Sequence, residues 1–403
     1  MEVVGYASTD DFLTQRFERT HWLPPAPRQH IGQRFTQQGV VGNFAEFNFL
    51  DQQSRSQEQP LQTIYLPDLP ATAAYLYYQL PGWDSLLVSP IRQDLEEEEI
   101  QIAPPSYAAA RAVDFPAFHW SADGRTITIP AGQHVLTQPL VIGPRQQLLI
   151  APGAQIDLLH HAFILSYGPL QAIGEAEQDI KIFSSDQSGQ GLHLIQPQGS
   201  SRLRYVAFSD LGTLSQSGWK LSGAVTFYEA AVQIADCVFH HNHCEDALNL
   251  IRSSMDIQRC QFLDIAADGL DSDFCKGTIR ACRFERTGND GLDLSGSFIT
   301  LSECFFDQCH DKGISVGEAS EVVVHDSRLA NCPIGIAAKD HSTVLGRNLH
   351  LHDCRQGVVI FQKKPEYGPA QVLLENLNAH GVDRLYQIGP GSRLQIDDQI
   401  FTD

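Results

Sequence analysis

The chain has 403 residues and carries 28 Lys and Arg against 48 Asp and Glu, for a formal net charge of −20. That balance excludes the clustered cations of a nucleic-acid surface and the polybasic face of a peripheral membrane protein. No apolar run approaches the roughly 18 residues that cross a bilayer, so no membrane span is expected. The start, Met1-Glu2-Val3-Val4-Gly5, has neither the basic nor the apolar region of a signal peptide. The expected compartment is the cytoplasm, or the exterior for a trimmed precursor.

Residues 1–93 show no period. They are rich in Gln, Pro and aromatics, among them Trp22, Trp83 and Tyr75-Leu76-Tyr77-Tyr78, and read as a separate N-terminal non-repeat region. Residues 94–115 hold the run Asp94-Leu95-Glu96-Glu97-Glu98-Glu99 and then Pro104-Pro105, the composition of a solvated linker. From about Trp120 short strands alternate with Gly and Pro, as in Thr126–Ile129 and Leu148–Ile150, and Gly132, Gly153 and Gly174 recur 21 residues apart.

Further on a 22-residue period sets in, through Ala247, Gly269, Gly291, Gly313, Gly335 and Gly357. Parallel ladders keep nearly the same time: Cys237, Cys260, Cys282, Cys304, and Phe239, Phe262, Phe284, Phe306. A fixed period of this length marks an all-β solenoid over 116–403, with about 22 residues per coil and on the order of a dozen coils. Equivalent residues of successive coils then stand about 4.8 Å apart. The nine cysteines include no CxxC pair and no zinc-type spacing, so they are expected to pack as buried thiols. The N-terminal region and the tail Asp398–Asp403 are the expected covers for the open ends.

Strand alternation sorts the columns after the glycines. Val225, Leu248, Leu270, Leu292, Ile314, Ile336 and Val358 point inward, as do Phe227, Leu250, Ser272, Leu294, Val316, Ala338 and Ile360. Between them lie two outward columns. The first is Thr226, Asn249, Asp271, Asp293, Ser315, Ala337 and Val359; the second is Tyr228, Ile251, Asp273, Ser295, Gly317, Lys339 and Phe361. The glycines are expected to face outward as well, flooring a shallow trough that suits an extended chain.

Asp271, Asp273 and Asp293 thus converge. Carboxylates one coil apart repel, so a pKa rises or a cation sits between them. Packing gives no reason to stack like charges. Asp271, Asp293, Asp273 and Lys312 are the candidate catalytic residues, and the three carboxylates are the candidate Ca²⁺ ligands. Arg252, Lys276 and Glu318 at flanking turns, with Asn249, Lys339 and Tyr228, are the candidate substrate contacts, Tyr228 as a stacking platform. Asp246, Asp268 and Asp290, with Glu245 and Asn289, are read instead as caps of their own turns. Of the histidines only His310, near Lys312, is kept as an outside candidate.

These stretches resemble the right-handed parallel β-helices of the pectate-lyase-like class. The similar segments are Trp219–Glu229, Glu245–Asn249, Asp271–Gly277, Gly288–Ser297 and Asp311–Glu318. More narrowly they resemble the β-helix region that accompanies spore-coat-H-type kinase domains, although no kinase domain is present here. The resemblance implies a right-handed parallel β-helix whose outer face meets an extended polysaccharide. The Asp-Pro-His motif of alginate epimerases is absent, as are the Arg-x-Lys and Ser-His-Gly sets of polygalacturonase-like hydrolases.

Two functions follow as expectations. One is a lyase or epimerase, or else a hydrolase, acting on a polysaccharide, anionic by preference. In the first case a base removes a proton beside a uronate whose charge Lys, Arg or Ca²⁺ neutralises; in the second Asp271 and Asp293 act as acid and base at retaining-type spacing. The alternative is a carbohydrate-binding or structural scaffold without turnover.

Overall fold

The computed structural model describes residues 2–7, 40–43, 63–66, 75–79, 87–90, 109–216 and 219–403. Trp22, Trp83, the acidic run 94–99 and Pro104-Pro105 lie outside the described residues, as do the side chains of Tyr75–Tyr78 and Trp219. The chain divides into two units, Met1–Ser106 and Tyr107–Asp403. In the first, Glu2–Ala7, Tyr75–Gln79 and Leu87–Pro90 form an antiparallel sheet, and Val40–Asn43 pairs with Thr63–Leu66 as a hairpin.

The second unit is built by its period. Each coil lends one strand to an eleven-stranded parallel sheet, which includes Gly223–Tyr228, Asp246–Ile251, Asp268–Asp273, Leu292–Ser295, Lys312–Gly317 and Ile334–Lys339. The rest of each coil feeds a second sheet that bends around the other sides. Register follows the repeat without slip: Leu248 pairs with Leu270, Leu270 with Leu292, and Leu292 with Ile314. No helix occurs among the described residues.

Both columns expected to point inward are buried along their whole length. On paired strands of the second sheet the rings of Phe208, Phe239, Phe262, Phe284 and Phe306 stack face to face, their centroids 5.0, 4.8, 4.6 and 4.7 Å apart. Register dictates this: identical residues on parallel paired strands have the strand spacing as their ring spacing. All nine cysteines are free and buried.

Each end is finished by a strand that reverses direction. His119–Trp120 runs antiparallel to Thr126–Ile129, with Phe115 and Phe118 packed on the first coil. At the other end Gln399–Thr402 folds back antiparallel on Arg393–Ile396. An antiparallel terminal strand ends parallel growth and removes a template for another chain.

The glycine column does not floor an outer trough. A Cβ on Gly291 would sit 2.7 Å from the Phe306 ring and 2.9 Å from Cys309 Sγ, and one on Gly313 would sit 2.7 Å from Leu329 Cδ2. These glycines face the core, and so does the residue after each of them. Two consecutive inward residues break the alternation, which brings the preceding Asp and the following Asp onto the same outer face.

Candidate functional site

That break assembles the centre. Asp246 pairs with Asp268, Asn249 with Asp271, and Asp271 with Asp293, so two acidic rows run side by side across successive coils. Asp273, two residues beyond Asp271, pairs with Ser295 in the third row. Access narrows sharply along this face. Asp271, Asp293, Asp273 and Ser295 are partly exposed, whereas Thr226, Asn249, Ser315 and Ala337 on either side are buried.

The window has a distinct wall on the side of the early coils. An inserted hairpin, Leu214–Gln216 with Trp219–Leu221, brings Leu214 and Leu221 into an apolar cluster with Phe163, Leu165, Ile195 and Tyr228 on the outer face. Tyr228 is therefore only 6% exposed and is a packing residue, not an open stacking platform. Burial raises its phenol pKa. On the other side the loop 362–369 reaches back: Lys363 and Lys364 donate their backbone N–H groups to Asp340 Oδ1 at 2.6 and 2.7 Å, and Lys364 Nζ pairs with Glu318. The outer face is a short window, not a continuous trough.

Within it, Asn249 Nδ2 donates to Asp271 Oδ2 at 3.1 Å. Burial, then the charges of Asp273, Asp246, Asp293 and Asp268, push the Asp271 carboxyl well above the usual carboxylate range. Asp273 is pushed up to about 6 by burial and then by Asp293 and Glu318, against the pull of Lys364 and Arg252. Asp293 sits 3.8 Å from Lys339 Nζ, which also donates to Ser315 Oγ at 3.0 Å. Glu318 accepts from Ser295 Oγ at 2.6 Å.

The corner carboxylates cap, but across coils. Asp268 Oδ1 accepts from Asn289 Nδ2 and from the Asp290 N–H, each at 2.7 Å; Asp290 Oδ1 accepts from the Lys312 N–H at 3.0 Å and from its Nζ at 3.2 Å. They also belong to the electrostatic cluster. Burial pushes Asp268 up to about 6 and Asp290 up to about 7, the Lys312 ammonium opposing in both cases. Asp246 is raised by burial, with Ser222 opposing and Asp268 adding to the rise. Asp246 Oδ2 and Asn249 Oδ1 are buried without a hydrogen-bond partner.

The predicted contacts therefore divide. Lys312 meets Asp290 and Asp311, Lys339 meets Asp293, and Glu318 lies at the rim. Arg252 stands at the edge, 3.7 Å from Glu229 and over the Tyr228 ring. Lys276 is exposed on the adjoining sheet, paired in register with Ser254 and Phe298, and His310 is exposed elsewhere; neither joins the cluster. Sequence reasoning missed the part taken by Asp246, Asp268, Asp290 and Lys364. The first three were visible as a column; Lys364, on an unrepeated loop, gave no signal.

Comparison with known families agrees with this architecture. The family described as the right handed beta helix region matches residues 246–381. No curated protein matches the chain. Among solved structures, the periplasmic alginate epimerase AlgG is similar at 11% identity over 67% of this chain and 78% of its own, with a TM-score of 0.41. The Agl-KA catalytic domain is similar at 12% identity over 67% of this chain and 62% of its own, TM-score 0.45. An alginate lyase from Paenibacillus sp. is similar at 12% identity over 60% and 91%, TM-score 0.32. The second unit is an all-β parallel solenoid whose coils over 246–381 match the right handed beta helix family, and the acidic cluster lies on the outer face of its eleven-stranded sheet.

Proposed function

We propose that the protein is a carbohydrate-active enzyme that performs acid–base chemistry on a polysaccharide segment presented at the Asp271–Asp293 window. The observation that carries this reading is an asymmetry between two stacked carboxyls. Asp271, raised by burial and by four like charges, holds a proton and can donate it to a leaving oxygen. Asp293, beside the Lys339 ammonium, is the carboxylate partner that attacks the anomeric carbon as that oxygen leaves. A proton donor beside a carboxylate nucleophile is how one site cleaves a glycosidic bond through a covalent intermediate. Their spacing of about 4.8 Å in backbone lies nearest the retaining geometry of glycoside hydrolysis.

A lyase or epimerase on a uronate is the less favoured chemistry. It needs a cation to neutralise the substrate carboxylate, and Lys312, Lys339, Lys364 and Arg252 each already face a carboxylate of the protein. A bridging Ca²⁺ would remove that objection. The donors fit a hard cation: all are oxygens, and Asp246 Oδ2 and Asn249 Oδ1 are buried beside Asp271 without partners. Asp271, Asp273 and Asp293 would share such an ion, which would supply charge neutralisation. A window two coils wide also suits binding without turnover.

The test is turnover on a panel of neutral glucans and uronate polymers, with and without Ca²⁺, read by mass spectrometry. Hydrolysis products that vanish in Asp271→Asn and Asp293→Asn would uphold the reading. Binding of a glycan with no product from any polymer would replace it with the scaffold alternative.

A further inference from the structure

Away from the outer-face window, two of the last coils carry a second constellation. His352 ends the strand Thr343–His352, His380 ends Gln371–His380, and the two are register partners. Their rings stack with centroids 5.2 Å apart at 18°. Asp353, the corner residue between them, places Oδ2 2.8 Å from His352 Nδ1 and donates its backbone N–H to His380 O at 2.9 Å. One ligand atom from each of the three residues lies within 4.8 Å of the others.

The neighbouring corner shows what is particular here. His325 and Asp326 repeat the same pairing at 2.8 Å, but the register partner of His325 is Arg347, and Asp326 Oδ1 is taken by Asn348 Nδ2 at 2.8 Å. At Asp353 the equivalent place is Gly381. A Cβ there would fall 1.9 Å from Asp353 Oδ1, so the carboxylate rests against bare backbone instead of an amide donor. The residues around it thus leave Asp353 for His352 and His380.

We propose that His352, Asp353 and His380 form a surface site for a borderline divalent cation of the Zn²⁺ and Co²⁺ class. Two imidazoles and one carboxylate select such ions over Ca²⁺ and Mg²⁺, which take oxygen donors. On binding, the metal takes the place of the hydrogen between His352 Nδ1 and Asp353, the neutral imidazole carrying its N–H on Nε2. The site joins neighbouring coils near the C-terminal end, where the outward residues of Gln371–His380 are largely exposed. An ion bound only by the folded form clamps that end of the stack.

The test is titration of the full chain with Co²⁺, read by visible d–d absorption, alongside Zn²⁺-dependent melting. One Co²⁺ per chain with tetrahedral-type bands, and a melting rise with Zn²⁺, are expected. Both should disappear in His352→Ala and in His380→Ala, and survive in Asp271→Asn. These side chains are at least partly exposed, so the variants should keep the wild-type circular dichroism. Binding unchanged in the His352→Ala/His380→Ala double variant, or lost instead in His241→Ala, whose Nδ1 lies 3.2 Å from that of His240, would overturn the assignment.

Discussion

Lys339 reaches back from two coils away to place its ammonium 3.8 Å from Asp293, while Asp271, stacked directly on Asp293, has no cationic partner among the described residues. Two chemically identical side chains one coil apart thereby acquire different surroundings. The difference is set by what stands above and below them along the stack.

Replacement of either carboxyl by an amide should separate activity from stability. Asp271→Asn and Asp293→Asn should each lower kcat by roughly 10²–10⁴. Asp271→Asn should leave the melting temperature nearly unchanged, because an amide replaces a carboxyl whose raised pKa already keeps it protonated and neutral. Steady-state kinetics and calorimetry on the same preparations measure both.

Stability should depend on pH with a sign fixed by the corner row. Asp290 is raised to about 7 in the folded chain, from a reference value of 3.8. Its stabilising contribution is present below pH 4 and is lost as pH rises through about 7, each tenfold gain in proton affinity on folding being worth roughly 1.4 kcal/mol. His193 acts oppositely: burial holds it at about 4, so its contribution is present above its reference value of 6.5 and fades as pH falls. The difference in unfolding free energy between wild type and Asp290→Asn, followed from pH 4 to 8, isolates the Asp290 share. The wild type should lose ground relative to the variant as pH rises.

Gly291→Ala should destabilise by about 1–3 kcal/mol through overpacking. The added methyl would meet the Phe306 ring, Cys309 Sγ and Gly313 O, all within 2.9 Å. A urea midpoint lowered at constant m-value is the expected result.

Phe262→Ala should cost about 3–5 kcal/mol. Its ring has stacked neighbours on both sides, Phe239 and Phe284. Because each coil of a solenoid contacts chiefly its neighbours, hydrogen exchange should quicken first in the coils of those two residues.

The core was legible because a constant period turns spacing into position: both inward columns, the phenylalanine stack and the buried thiols follow from it. The face was less so. Strict alternation put the glycines outside, but close approach to Phe306 and Leu329 turns Gly291 and Gly313 inward and carries Asp290 and Lys312 to the outer side of the sheet. Tyr228 looked open because its column is outward; the cover comes from Leu214 and Leu221 in an insertion that breaks the period. That lengthened coil, between register partners Leu192 and Val225, was the available clue. Asp268 and Asp290 were expected to cap within their own turns, whereas their acceptor oxygens serve the next coil, a link only the stacked geometry creates.

Asp246, Asp268, Asp290, Lys312 and Lys339 each enter the centre from a different winding of the chain. Duplicating a whole winding beyond Phe361 would lengthen the rod and leave the carboxyls as they are. Adding one residue inside the strand Asp268–Asp273, just before Asp271, would turn Asp271 and Asp273 to the opposite face, and the centre would come apart although every one of its side chains remained.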